Sequence, residues 1–159
     1  MLSYEEYKTQ LLQDIFPLLQ RWHLSKHVVF NADAHTVRVK AQNPLIANCD
    51  IELQIEYSHL YHEPLLIFRF WNTTLIDGVE QSQIWLPDDL PSVLNMKGFN
   101  TGLDHVDKES KTIWFSAHCC DTSKVVGSDT SSYLSRWCSV YFTLFDCSFA
   151  NVYMPKVKS

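Results

Sequence analysis

The segment Ala117-His118-Cys119-Cys120-Asp121-Thr122 carries the side chains of this sequence best suited to covalent chemistry: two adjacent thiols, with an imidazole before them and a carboxylate after them. A thiol reacts as its thiolate, and with an ordinary pKa of about 8.5 only a few per cent is ionised near neutrality. A helix N-terminus or a nearby imidazolium raises that fraction, whereas the Asp121 carboxylate lowers it. The expected thiol is modestly reactive. If a strand runs through the segment, period-two alternation puts Trp114, Ser116, His118 and Cys120 on one face and Ile113, Phe115, Ala117 and Cys119 on the other. The apolar companions of Cys119 mark it as structural. Cys120 shares a face with His118 and precedes Asp121-Thr122-Ser123, a run suited to capping a helix, so the spacing favours Cys120 as the nucleophile. The plainer alternative is a pair of small core cysteines with no chemistry.

Other chemistries fit the spacing less well. His118, Cys119, Cys120, Cys138 and Cys147 are zinc-ligand types, but adjacent cysteines on opposite strand faces do not easily reach one tetrahedral ion, and no Cys-x-x-Cys pair is present. A cysteine hydrolase needs a separate base and an oxyanion hole, and none of His23, His27, His35, His59, His62 and His105 is positioned by its context. Tyr57 ends a strand-like segment, where its hydroxyl could line a site or simply rim the core. With four glycines in all, no phosphate-cradling loop is present, and no metal or cofactor is expected.

Around these groups the chain has the composition of one folded domain spanning residues 1–159. Hydrophobic residues make up 46% and charged residues 19%, enough apolar surface to offset the entropy of ordering the chain. A net charge of -5 with scattered Lys and Arg excludes a nucleic-acid footprint. Five cysteines, an odd number, do not read as a disulfide framework. The start, Met-Leu-Ser-Tyr-Glu-Glu-Tyr, is acidic where a secretory signal is basic, and no apolar run is long enough to span a bilayer. The expectation is a soluble cytoplasmic protein with reduced thiols and no integral membrane segment.

The elements that must position the cysteine segment are legible as periodicities. Over residues 3–23, Tyr4, Tyr7, Leu11, Ile15, Leu18 and Trp22 gather on one helical face; Ser3 and Glu6 fit a capping box, and Pro17 threatens a kink or an early end. Val28 to Gln42 is strand-like with a turn or irregularity at Asn31-Ala32-Asp33-Ala34. Ile51, Leu53, Ile55 and Tyr57 then alternate with Glu52, Gln54 and Glu56, and the apolar run Leu65 to Trp71 suits a central strand covered on both faces. Asp77-Gly78 signals a turn, and Leu86 to Lys97 a loop with short helical turns. A fourth strand, Thr112 to His118, leads into the cysteines, and a helix over Asp129 to Phe145, capped by Asp129 or Thr130, packs on the sheet. Short linkers make an antiparallel meander the simplest topology.

His118-Cys119-Cys120-Asp121-Thr122 resembles the His-Pro-Cys-Asp-Thr active-site segment of the E2-like enzymes of the autophagy-related protein ten family, above all the fungal ones. Ile55-Glu56-Tyr57-Ser58-His59-Leu60-Tyr61-His62-Glu63-Pro64-Leu65-Leu66 is similar to that family's Tyr-x-x-x-Tyr-x-Glu-Pro-Leu-Leu strand pair, and Asp77-Gly78 falls at its turn. The likeness runs in order from the N-terminal helix to Arg136-Trp137. It implies an α+β, E2-like fold: an N-terminal helix, a mainly antiparallel four-stranded sheet and a C-terminal helix packed on it. It also implies an activity, in which the ubiquitin-like autophagy-related protein twelve is accepted as a cysteine thioester from the E1-like autophagy-related protein seven and passed to a lysine of autophagy-related protein five. By position the resemblance makes Cys120 the thioester cysteine, with His118 and Tyr57 beside it as base, oxyanion donor or lysine-orienting groups, and with presence at autophagosome-forming membranes only through partners. Cys119 stands where many members have proline, which keeps open a rival reading as a non-catalytic E2-like interaction module; a cysteine hydrolase is the third possibility.

Overall fold

Ser3 starts the first helix as its type and spacing predict: its hydroxyl accepts from the Glu6 N–H at 3.1 Å while the Glu6 carboxylate accepts from the Ser3 N–H at 3.3 Å. The helix α1 (Tyr4–Gln10) does not break at Pro17 but widens into a π turn (Leu11–Ile15) and resumes as α2 (Phe16–Arg21). A proline ring in a regular turn would meet the carbonyl four residues earlier; the wider turn, closed by the Phe16 N–H on the Leu11 carbonyl, accommodates it. Tyr7, Leu11, Ile15, Leu18 and Trp22 remain buried against the sheet, and Trp22 donates to Asp146 Oδ2 at 2.8 Å. The computed structural model describes residues 1–106, 111–119 and 122–151.

Among the described residues the sheet contains seven strands rather than four: β1 (Ser25–Asn31), β2 (Thr36–Gln42), β3 (Cys49–Ser58), β4 (Glu63–Ile76), β5 (Val79–Trp85), β6 (Phe99–Val106) and β7 (Ile113–Cys119). Six run in the order β1-β2-β3-β4-β7-β6, β5 pairs with β4 off that path, and each of these pairings is antiparallel. The first segment divides at its turn into β1 and β2, where the Asn31 side chain accepts from the N–H groups of Asp33 and Ala34. β5 and β6 escape the periodicity because they bury little: β5 is polar and exposed along most of its length, and β6 carries Gly102 and a bulge before His105. β4 organises the sheet, since residues 66–68 pair with β7 while residues 70–76 pair with β5 through a turn in which Asp77 and Gly78 both have positive φ, 52° and 78°.

One face of the sheet carries Val37, Val39, Ile51, Leu53, Ile55, Leu66, Phe68, Phe70, Phe115 and Ala117 into the core beneath the helices. The other face is not simply polar. Arg69 donates to Glu52 Oε1 at 2.6 Å and to Thr112 Oγ1 at 3.2 Å, with its guanidinium 4.1 Å from the Trp114 ring centre and 5.2 Å from that of Trp71. Trp114 is fully buried, its indole N–H spent on Thr112 Oγ1. This cation and aromatic layer is why β4 is covered on both faces.

The C-terminal helix α4 (Tyr133–Tyr141), followed by a short 3₁₀ turn (Phe142–Leu144), packs Leu134, Trp137, Cys138 and Tyr141 on the sheet. Neither Asp129 nor Thr130 caps it: the helix is entered through Ser132 in a left-handed conformation (φ 53°), and the Asp129 carboxylate accepts from the Ser131 N–H at 2.9 Å instead. Gln10 of α1 does so from a distance, its Oε1 accepting from the Leu134 N–H at 2.8 Å and its Nε2 donating to the Thr130 carbonyl at 2.7 Å. Gln10→Ala is expected to cost about 1–2 kcal/mol, a lost cap, measured by urea unfolding. A loss below about 0.3 kcal/mol would show that water replaces the cap.

Candidate active site

β7 carries the cysteine segment, flanked by β4 and β6: Leu66 faces Ala117, and on the other side Phe99 faces Cys119 and Asn100 faces His118. From Phe115 to Cys119 the alternation along β7 holds, whereas at its start Ile113 is exposed and Trp114 buried. Phe115, Ala117 and Cys119 are buried on the helix-facing side, whereas His118 is exposed on the other. Cys119 is therefore a core residue, 6% exposed. Cys120 and Asp121 lie outside the described residues; the chain resumes at Thr122, which opens the short helix α3 (Thr122–Val126).

The remaining thiols divide by environment. Burial pushes Cys49 and Cys138 up, which keeps both as inert thiols, while Cys147 is exposed with Asn95 Nδ2 3.4 Å from its sulfur. Among the described residues no three His, Cys, Asp or Glu side chains gather closely enough to hold a metal ion.

Tyr57 ends β3 opposite Pro64, on the helix side of the sheet, because it lies two residues beyond Ile55, which faces Leu66 and through it Ala117. Its hydroxyl donates to the Leu2 carbonyl at 2.6 Å and lies 3.4 Å from His62 Nδ1. Its ring packs 5.2 Å from Tyr4 and from Tyr7 and 5.0 Å from His59, and burial pushes its phenol up. Tyr57 and His118 thus stand on opposite faces of the sheet, across β4. His118 instead shares its face with Glu56, a strand residue that accepts from Gln54 Nε2 at 2.5 Å and lies 3.6 Å from His105 Nε2. Tyr4, Arg38, Gln54, Glu56, Tyr57 and His105 help to line a cavity of about 320 Å³ at this end of the sheet.

Two hydroxyls secure the described ends of the cysteine segment. Tyr141 of α4 accepts from the Cys119 N–H at 3.1 Å and lies 3.0 Å from Thr122 Oγ1, and Thr122 donates to the Cys119 carbonyl at 3.0 Å. Tyr141 is invisible to periodicity, which marks it only as part of an apolar helix face; its phenol is one of two on that face, with Tyr133, and its partners lie 19 and 22 residues away.

Residues 8–150 match the family described as autophagocytosis associated protein, active-site domain. The chain belongs to this family. Its relatives in the autophagocytosis family include the ubiquitin-like-conjugating enzyme ATG10 of Saccharomyces cerevisiae, 34% identical, with 89% of this chain and 94% of the relative covered. The ATG10 of Kluyveromyces marxianus is 31% identical over 94% of this chain and 99% of its own. Among solved structures, a crystal structure of the autophagic E2 Atg10 superposes with a TM-score of 0.74 at 33% identity, covering 92% of this chain and 98% of that one. The solution structure of KmAtg10 gives 0.78 at 30% identity, covering 94% and 98%. This member of the autophagocytosis family is accordingly an E2-like conjugating enzyme of autophagy with an α+β fold. No helix among its described residues is long and apolar enough to cross a membrane.

Proposed function

We propose that Cys120 accepts autophagy-related protein twelve from the E1-like autophagy-related protein seven as a thioester and delivers it to a lysine of autophagy-related protein five, in the cytoplasm. The observation that carries this reading is the resemblance of the His118-to-Thr122 segment to the family's active-site motif, in a chain related over nearly its whole length to enzymes named as ubiquitin-like-conjugating. The burial of Cys119 supports the choice between the two thiols.

In the first step the Cys120 thiolate attacks the carbonyl carbon of the E1 thioester; a new C–S bond forms, the bond to the E1 cysteine breaks, and that sulfur leaves as a thiolate. In the second step a neutral lysine amine attacks, an amide C–N bond replaces C–S, and Cys120 departs as thiolate while the amine gives up a proton. Both steps pass through a tetrahedral oxyanion, and the second also requires a proton acceptor for the amine. His118, exposed at the end of β7, is the side chain suited to that acceptor role. Tyr57 is the proposed oxyanion donor or lysine-orienting group. As donor its single hydroxyl proton must leave the Leu2 carbonyl, to which it is bonded at 2.6 Å.

His118→Ala and Tyr57→Phe are each expected to charge at the wild-type rate and to discharge to the target lysine about 10- to 100-fold more slowly, read in separate single-turnover assays. Equal loss of both steps together with a lowered melting temperature would assign the residue to the fold instead. The reading as a whole is tested by incubation with the E1-like enzyme, ATP and the modifier. A covalent adduct removed by reductant is expected, and a chain that binds the E1-like enzyme but never carries the modifier would be the non-catalytic module.

A further inference from the structure

The hydroxyls around the cysteine segment form a closed circuit whose directions follow from proton counting. The Cys119 carbonyl can only accept, so the one proton of Thr122 Oγ1 is committed to it at 3.0 Å. In the 3.0 Å contact between Thr122 and Tyr141, Tyr141 must then be the donor. Tyr141 in turn uses a lone pair for the Cys119 N–H at 3.1 Å. The circuit runs from the Cys119 amide to the Tyr141 phenol, to the Thr122 hydroxyl, and back to the Cys119 carbonyl. Each proton has one acceptor, and both backbone groups of residue 119 are held.

From this geometry we propose that Tyr141 is a positioning residue for the reacting cysteine: it fixes residues 119 and 122, which bracket position 120, and so sets where the thioester sits relative to the incoming group. The proposal rests on the assignment of the thioester to Cys120. It is distinct from the roles given to His118 and Tyr57, because Tyr141 acts through the backbone of Cys119 and the hydroxyl of Thr122.

The anchor is suited to the task. Tyr141 is 4% exposed, its ring stacked on Trp137 at 4.5 Å and 19° and set edge-on to Phe99 at 5.5 Å, the β6 residue that faces Cys119 on β7. Trp137 is itself 1% exposed. The phenol oxygen is therefore held by the packed core and not by a flexible loop, and positioning of this kind matters because small misplacements of a reacting group cost large factors in rate. Burial pushes the phenol up, so the proton that closes the circuit stays on the oxygen throughout the neutral range.

Tyr141→Phe keeps the ring packing and removes only the hydroxyl; Thr122→Val removes the other member, and Thr122→Ser restores it. With the full chain, the E1-like enzyme, ATP and the modifier, each of the first two is expected to slow single-turnover transfer about tenfold, the equivalent of one net hydrogen bond. The double variant should be no slower than either single by more than about twofold, because the circuit fails as a unit. Thr122→Ser should return to within about twofold of the wild type, with the melting temperature of Tyr141→Phe lowered by no more than a few degrees. Hydrogen exchange at the Cys119 amide should accelerate at least about tenfold in Tyr141→Phe, a readout independent of the modifier. Wild-type transfer rates in Tyr141→Phe, or losses that multiply in the double variant, would overturn the proposal. A wild-type chain that forms no adduct, yet loses Cys119 protection in Tyr141→Phe, would overturn the thioester assignment and the positioning role with it, leaving the circuit as a structural device.

Discussion

Cys120→Ala is expected to abolish formation of the reductant-labile adduct, lowering its rate by at least about a thousandfold, as deletion of a nucleophile does. Cys120→Ser should give either nothing or a slowly formed ester that survives reductant, because an alkoxide is a far scarcer species at neutral pH than a thiolate. The informative control is Cys119→Ser. Its sulfur is turned into the core, so the replacement buries a hydroxyl and should lower stability by about 1–3 kcal/mol while leaving the adduct intact. Cys147→Ser removes an exposed thiol and should change neither quantity. An adduct lost in Cys119→Ser but kept in Cys120→Ser as a thioester would reassign the nucleophile.

Arg69→Ala is the substitution expected to cost most stability among the polar residues. The guanidinium and the Glu52 carboxylate are only 10% and 12% exposed, and the ring systems of Trp114 and Trp71 pack against the cation. Removing one partner of a desolvated pair strands the other, which typically costs about 3–5 kcal/mol. The same physics predicts that replacing both, Arg69→Met with Glu52→Leu, recovers most of the loss, because no charge is then left buried and the Trp114 indole still has Thr112 as its acceptor. Urea unfolding of the wild type, Arg69→Met, Glu52→Leu and the double variant gives the coupling energy directly. A loss in Arg69→Ala below about 1 kcal/mol would mean that water already compensates the pair.

These two regions differ in how far the sequence exposes them. Period-two alternation was sufficient for β3 and β7, since each has one strongly apolar face, and it separates Cys119 from its neighbour without any structure. It was insufficient for β5, whose Glu80, Gln81, Ser82 and Gln83 bury nothing, and for β6, whose bulge breaks the period. The cap of α4 was missed for another reason: Gln10 and Leu134 are 124 residues apart, and capping preferences read only the local Ser, Thr and Asp. Trp114 likewise falls on the face that alternation marks as polar, yet it is fully buried, because Arg69 and Thr112 lie on the same face and cover it. In the site, residue types drew attention to His118, Cys120 and Tyr57. What they could not reveal was that Tyr57 and His118 face opposite sides of the sheet, or that the Tyr141 hydroxyl closes on Cys119; both facts depend on strand order and helix docking.

If one thiol of this chain carries the modifier, peptide mapping of the wild-type adduct identifies it. After incubation with the E1-like enzyme, ATP and autophagy-related protein twelve, the adduct is digested without reductant and the modified peptide is fragmented. A thioester localised to Cys120 is expected, with Cys119 and Cys147 unmodified. A modifier found on either of those residues, or no thioester at all, would contradict it.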